Sequence, residues 1–297
     1  MSDEVISMVP SSLLERKGRA RLTKAAIPLL LVTPLFVFMV VLYAIPVCSM
    51  LLRSVSAPNW SLVHYAALVD DIVFVKTFWT TLRTSFVVTL ASLVLAYPVA
   101  LALSRARSSA PFLLIVILLP FWTSILVRSY AWMVLLGRHG LINEMLLSLG
   151  MIDAPLRLLN TTLATEIAMT HIMLPYMILP IANSLRQIDP SLPRAASALG
   201  ATPWGAFYQV TLPLSMPGVA VGVLLVFVLA LGFYITPALV GDSREITISM
   251  LIAQQVDQLN WEYAATLSVV LLATALGLIA AAHRLPGVGS AFRMSLR

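Results

Sequence analysis

The sequence predicts an all-α, polytopic membrane protein with about six transmembrane helices. Of its 297 residues, 60% are hydrophobic and 11% are charged, and the mean hydropathy is +0.94. Soluble domains are typically about 45–50% apolar and about 25% charged. The apolar runs exceed about 18 residues, which suits helices rather than the roughly ten-residue strands of a membrane barrel.

Each apolar segment is long enough to cross about 30 Å of hydrocarbon with some tilt. The predicted spans lie near residues 25–52, 78–103, 111–136, 161–186, 216–240 and 263–283. The first run is much longer than the apolar core of a signal peptide, about 7–15 residues, so we expect it to be retained. Prolines should kink spans 2 to 5, which suits a bundle that alternates between two arrangements; they are Pro98, Pro120, Pro175, Pro180, Pro217 and Pro237.

The distribution of basic residues predicts the orientation. With the N-terminus inside, twelve Lys and Arg residues fall on the cytoplasmic side and six on the other, so both termini are expected to be cytoplasmic. Residues 1–24 and 286–297 are then tails around a membrane domain at 25–285. The net charge of +6 is explained by this topology, and no nucleic-acid partner is expected. The acidic outer residues are either solvated loop charges or a surface that suits a cationic cargo.

Two outer loops carry apolar residues at helical spacing. They are residues 141–147 and 248–256. Short helices lying on the bilayer surface would explain both patterns. Such helices would serve either as a docking surface for a binding protein or as lids over the bundle.

A polar segment rich in Pro and Gly, residues 187–217, separates the fourth and fifth spans. It predicts a short helix near 191–199 that ends at Gly200, where a positive φ is tolerated. A second short element should follow and be stopped by Pro213. The expected contact residues with a soluble partner are Arg194, Ala195, Ala196, Leu199, Gly200, Val210, Leu212 and Pro213.

Catalytic and metal-binding patterns are missing from the sequence. It contains no Gly-Lys dipeptide, so it has no Walker A phosphate loop, and the His-Glu-x-x-His pattern is also absent. We therefore expect no catalytic residues, no metal site and no cofactor bound by this chain. If ATP powers its activity, ATP and Mg²⁺ belong to another subunit.

Polar residues inside the spans are candidates for a substrate pathway, because a charge in the membrane is costly unless it is paired or used. Glu166 and Arg128 lie at similar predicted depth on consecutive spans. They are expected either to form a structural ion pair or to leave Glu166 free to meet a cationic group. Aromatic faces attract organic cations, so the candidate pathway residues are Trp122, Ser124, Arg128, Glu166, His171, Tyr176 and Tyr234.

The segment 187–217 resembles the EAA loop of ABC-importer permeases. That pattern is Glu-Ala-Ala, three residues, Gly, nine residues, a β-branched residue, any residue, then Leu-Pro. The chain matches it from Ala195 to Pro213, but Arg194 replaces the Glu.

The chain also resembles the spermidine/putrescine importer permeases in four short stretches. They are 120–124 followed by 127–132 in the third span, 140–143, 174–177 and 234–239. The resemblance implies a type I ABC-importer (MetI-like) permease fold in the bacterial inner membrane. It implies two ATP-binding cassette subunits, a second homologous permease, a periplasmic solute-binding protein and a polyamine cargo. Related permeases carry opines, amino-acid derivatives or metal complexes.

Two other classes compete with this interpretation. A stand-alone carrier driven by an ion gradient would use Glu166 as a proton or sodium site and would work without ATP. A membrane-embedded enzyme has no nucleophile–base or metal constellation behind it.

Overall fold

The computed structural model describes residues 32–56, 60–106 and 108–284, and the regular elements within these ranges are all helical. Nearly every long apolar run forms a helix, as lipid exposure requires. In chain order we label them α1 (Val32–Ser56), α2 (Val63–Asp70), α3 (Ile72–Arg105), α4 (Ala110–Trp122), α5 (Ile125–Leu136), α6 (Leu141–Ser148), α7 (Thr162–Arg186), α8 (Ser191–Ala198), α9 (Pro203–Leu231), α10 (Ile235–Val240), α11 (Ile248–Asp257) and α12 (Trp261–Arg284).

Three long helices, α3, α7 and α9, form the core of the bundle. The central helix α7 packs against the other two and buries Met169, Met173 and Met177 almost completely. Gly218 and Gly222, one turn apart on α9, sit directly against the backbone of α7. This small-residue contact lets the two helices approach closely, as is common between membrane helices.

Among the described residues, five helices are long and apolar enough to cross a membrane by themselves, namely α1, α3, α7, α9 and α12. The predicted spans near 78–103, 161–186 and 263–283 are confirmed as α3, α7 and α12. The first predicted span is confirmed from Val32 onward, and residues 25–31 lie outside the described residues. A sixth crossing exists only if α4 and the helices after it count as one broken span.

The predicted third span at 111–136 is broken at the position of Pro120, where a kink was expected, but the break is far sharper than a kink. Helix α4 and the segment Ile125–Ser148 meet at an angle of 94°. The last turn of α4, Leu119–Trp122, is 3₁₀-helical and contains Pro120, and Thr123 and Ser124 have extended ψ values of 145° and 142°. We call residues Leu119–Ser124 the elbow. Proline and the extended pair end the first helix, and the Ser124 side chain caps the second by accepting from the Leu126 amide.

The fifth span begins earlier and ends earlier than the predicted 216–240. Helix α9 runs from Pro203 to Leu231, and the short α10 follows separately. The expectation that Pro213 stops an element is wrong, because the helix continues through it. The preceding turn, Phe207–Thr211, is a π-helix, and such local widening accommodates a proline ring inside a helix.

The two segments predicted to be helical from their apolar spacing, 141–147 and 248–256, are helices. They form α6 and α11. Helix α11 is anchored to α3, because the amide of Ile248 donates to Thr81 Oγ1 at 2.8 Å and both residues are buried.

Candidate functional site

The helix predicted between residues 191 and 199 is present as α8. Its end is a Schellman motif, in which the Ala201 amide donates to the Ala196 carbonyl and the Gly200 amide to the Ser197 carbonyl. This motif requires a left-handed residue, and Gly200 has φ +91°. The sequence therefore identified the one position in this loop where glycine is needed.

The surface of α8 is exposed. Leu199 is 90% exposed, and Arg194 folds back along its own helix so that Nε donates to the Pro190 carbonyl at 3.0 Å. Asp189 accepts from the Ser191 amide at 2.8 Å, and this bond holds the pKa of the Asp189 carboxyl below its usual range. Ala195 is also exposed, so the small face of the helix is free to meet another protein.

The second half of the loop pattern belongs to α9 rather than to a separate element. Val210, Leu212 and Pro213 lie in the π-helical turn and the turn after it. A contact made by this part of the loop is therefore carried by a transmembrane helix.

An aromatic group that the sequence analysis did not single out lies beside these residues. Trp204 stacks on Tyr208 with ring centroids 6.0 Å apart, and Phe207 meets Tyr97 of α3 edge-on at 5.9 Å. Trp204 and Tyr208 are 70% and 59% exposed. A Pro directly after a capping Thr202 marks a helix start at this point, and that signal could have revealed the extended α9.

Glu166 does not pair with Arg128, so the first of the two alternatives for these residues, a structural ion pair, is wrong. The partner of Glu166 is Arg83 of α3, whose guanidinium nitrogen lies 3.9 Å from Glu166 Oε1. Arg83 also lies 4.0 Å from Glu245, which follows α10. Glu245 in turn accepts a hydrogen bond from Thr162 at the start of α7. We call Arg83, Glu166 and Glu245 the outer ion triad.

Helix geometry explains the wrong pairing. Glu166 and His171 are five residues apart on α7, so they project about 140° apart around its axis. Arg128 lies close enough to His171 and Tyr176 for its charge to act on both, whereas Glu166 projects toward α3. Counting residues along the spans gives Glu166 and Arg128 the same depth but does not show that their side chains project in different directions. Arg83 falls inside the predicted second span, so the rule that singled out Glu166 would also have found its partner.

The structure brings three of the candidate pathway residues together between α5 and α7. His171 accepts a hydrogen bond from Trp132 Nε1 at 3.3 Å, and Tyr176 contacts Phe121 with ring centroids 5.5 Å apart. Arg128 lies beside both, and its buried Nε has no hydrogen-bond partner. Aromatic rings, a histidine and a cation thus share one side of the elbow.

The remaining candidates lie at or near breaks in the helices. Trp122 is 87% exposed at the elbow, and the Ser124 hydroxyl is used as a helix cap. Tyr234 is 44% exposed in the turn between α9 and α10. The adjacent helices are joined by a buried bond of 2.9 Å between Ser129 and Thr236, so the elbow and this turn belong to one substructure.

A cavity of about 490 Å³ lies elsewhere, at the opposite end of α7 from Glu166. Its lining includes Leu103, Leu114, Asn183 and Arg186 but none of the candidate pathway residues. Within the described ranges, no group of three or more His, Cys, Asp or Glu side chains could hold a metal ion.

Comparison with known proteins gives this arrangement its context. Residues 99–283 match the family described as the binding-protein-dependent transport system inner membrane component. The chain belongs to this family. The match includes the elbow, α7, the loop 187–217 and α9, so it covers all the candidate site residues.

Individual relatives agree with the family. The chain is 35% identical over 198 residues to the spermidine/putrescine transport system permease protein PotB of Haemophilus influenzae, covering 66% of this chain and 69% of that one. It is 35% identical over 214 residues to the protein of the same name from Escherichia coli, covering 71% and 78%.

A solved structure agrees with the fold. A chain of a bacterial alginate ABC transporter, in complex with an alginate-bound periplasmic protein, superposes with a TM-score of 0.71 at 18% identity. The match covers 89% of this chain and 95% of that one. The permease fold predicted from the sequence is therefore confirmed.

Family membership fixes the general role. The chain is a multi-pass transport subunit of the bacterial inner membrane, and permeases of this kind act with an ATP-binding subunit and a periplasmic binding protein.

Proposed function

We propose that this permease passes a polyamine, spermidine or putrescine, across the inner membrane. The observation that carries the proposal is the 35% identity to PotB, which extends over 78% of the Escherichia coli protein. The outer ion triad supports it, because its two carboxylates and one guanidinium leave a net negative charge beside the start of α7.

The working assembly contains two ATP-binding cassette subunits, a second homologous permease and a periplasmic solute-binding protein. ATP and Mg²⁺ bind to the cassette subunits, and this chain binds no cofactor of its own. Both termini are cytoplasmic, with residues 1–24 and 286–297 as tails of the membrane domain 25–285. The excess of Lys and Arg on that side supports this orientation.

The loop 187–217 couples ATP binding to transport. Helix α8 presents Arg194, Ala195, Ala196 and Leu199 to a cleft of the cassette subunit, and Gly200 fixes the turn that follows. Because Val210, Leu212 and Pro213 lie on α9, a displacement of the loop moves a helix that packs against α7 in the core.

The cargo passes between the elbow and the outer end of α7. Trp122 and Tyr176 offer aromatic faces, each worth about 0.5–2 kcal/mol to an organic cation. Glu166 offers a carboxylate, and Ser124, His171 and Tyr234 offer polar groups along the way. Arg128 lies on the same side, and its charge must be balanced by another group for a cation to pass.

The direct test is reconstitution of the complete transporter in lipid vesicles. ATP-dependent uptake of radiolabelled spermidine should require the binding protein and should be competed by putrescine. An opine, an amino-acid derivative and an iron complex serve as competing cargoes. Uptake of one of these without spermidine uptake would refute the polyamine assignment and leave the family intact.

A second arm addresses the ion-gradient carrier. We expect no uptake when ATP is omitted and a proton or sodium gradient is imposed. Uptake under the gradient alone would overturn the coupling mechanism and make Glu166 the first residue to replace.

A further inference from the structure

Arg128 has no counter-charge in the described part of this chain. The ion pairs there both belong to Arg83, which already holds Glu166 and Glu245. Arg128 Nε is buried without a hydrogen-bond partner, and the nearby side chains of His171 and Tyr176 carry no carboxylate. A charged side chain within a span is costly when it is unpaired, which favours a partner from another chain.

The elbow next to Arg128 also needs a cover. Helix α4, from Ala110 to Trp122, rises only roughly 20 Å, which is short of the about 30 Å of a hydrocarbon layer. Non-helical backbone at membrane depth is tolerated only where protein buries it or where it lines a water-filled cavity. In this chain Thr123 and Ser124 are exposed.

The exposed surface around the elbow is large and apolar. Phe121, Trp122, Leu126, Val127 and Tyr130 are between 47% and 87% exposed. Aromatic side chains around an arginine are the composition of a protein–protein contact. Lipid would satisfy the apolar side chains, but it would satisfy neither the guanidinium nor the extended backbone.

We propose that a carboxylate side chain of the second permease pairs with Arg128 and that this subunit packs over the elbow. The inference rests on the proposed function in one respect, since a polyamine is cationic and cannot supply the negative charge. Pairing also removes the electrostatic barrier that a bare guanidinium beside Tyr176 would present to a cationic cargo.

The test uses the complete transporter, with an affinity tag on this chain, extracted in mild detergent. The amount of second permease retained per tagged chain is measured for Arg128→Glu, Arg128→Gln and Arg128→Lys. We expect Arg128→Glu to lower this ratio by roughly tenfold or more, Arg128→Gln to lower it less and Arg128→Lys to lower it least. Arg138→Glu is the matched control, because Arg138 is exposed just beyond α5 and should leave the ratio unchanged.

A charge exchange identifies the partner group. In the Arg128→Glu background, each Asp or Glu in the spans of the second permease is changed to Arg in turn. One of these changes should restore the ratio. If none restores it, or if Arg128→Glu assembles like the unmodified chain, the inference is overturned.

Folding and cargo effects are separated by two further measurements. The apparent melting temperature of each tagged chain reports on folding, and if Arg128→Glu fails to fold, normal assembly of both the Gln and Lys variants overturns the inference. Normal assembly with altered spermidine uptake means that Arg128 acts on the cargo, which also overturns it. Absence of spermidine uptake by the unmodified transporter instead refutes the proposed function and leaves the assembly ratios to be judged by themselves.

Discussion

The contact between α7 and α9 should depend on the absence of a side chain at Gly218. A Cβ there would lie 2.5 Å from the Pro180 carbonyl oxygen and 2.5 Å from Ser184 Cβ, and 3.2 Å from Ile181 Cα. Ordinary contact begins at 3.4 Å, so Gly218→Ala must push the two helices apart by about 0.9 Å. The obstacles include backbone atoms, which cannot rotate out of the way.

The expected cost of Gly218→Ala follows from this displacement. Overpacking of a tight interface costs about 1–3 kcal/mol, and a gap of this width forfeits a quarter to a half of the dispersion energy of the atoms that line it. The gain in helix propensity from Gly to Ala, about 1 kcal/mol, offsets only part of the loss. We therefore expect a net destabilisation of about 1–2 kcal/mol.

The assay is thermal unfolding of the purified chain in detergent, with Gly277→Ala as the matched control. Gly277 lies inside α12, and its added Cβ would meet nothing within 4 Å. The control should unfold at the same temperature as the unmodified chain or slightly higher. Equal melting temperatures for Gly218→Ala and Gly277→Ala would refute the close packing of α7 and α9.

Three further predictions concern the loop, the outer face and acid stability. Gly200→Val forces a β-branched residue into φ +91°, a conformation that L-residues avoid by about 1–2 kcal/mol or more. The variant should insert normally in the membrane but lose spermidine uptake. Retained uptake would contradict the coupling role of the loop. Arg83→Gln leaves the carboxylates of the outer ion triad without their cation, so it should lower the melting temperature. Adding Glu166→Gln should recover part of this loss, because one unpaired carboxylate is removed. A double variant that is no more stable than Arg83→Gln would show that the Arg83–Glu166 pair is unimportant. The hydrogen bond from Tyr263 lowers the pKa of Asp71, so this link stabilises the fold at pH values above the ordinary pKa of Asp and is lost as pH falls through the lowered value. The difference in melting temperature between the unmodified chain and Tyr263→Phe should be constant from pH 7 to 5 and should shrink in stronger acid. A difference that grows in acid would show that the pKa of Asp71 is raised rather than lowered.

The membrane helices could be predicted because hydrophobicity and length determine them directly. Gly200 was equally predictable, since a helix end with a left-handed residue has a local sequence signal. The sharp break in the third span was not predictable from hydropathy, because the helices on both sides of the elbow are apolar. Pro120 marked the position but not the angle, which depends on how Ser124 restarts the helix.

The ion pairs of the site could not be predicted for a different reason. Depth along a span can be counted from the sequence, but the direction in which a side chain points requires knowing which face of each helix is buried. Glu166 and Arg128 agree in depth and disagree in direction. Glu245 lies about 80 residues beyond Glu166 in a loop, and only the packing of α10 against α7 brings it to Arg83.

The continuity of α9 gives it the mechanical property of a lever. Its 29 residues make a rod of roughly 43 Å, and the contact of Gly218 and Gly222 with α7 lies about 25 Å from the end at Pro203 and about 15 Å from the end at Leu231. If that contact is the fulcrum, a movement of about 2 Å imposed at the Pro203 end moves the Leu231 end by roughly 1 Å in the opposite direction. The π-helical turn at Phe207–Thr211 interrupts the regular α-helical hydrogen bonding of the rod, and it lies on the longer arm, between the applied force and the fulcrum.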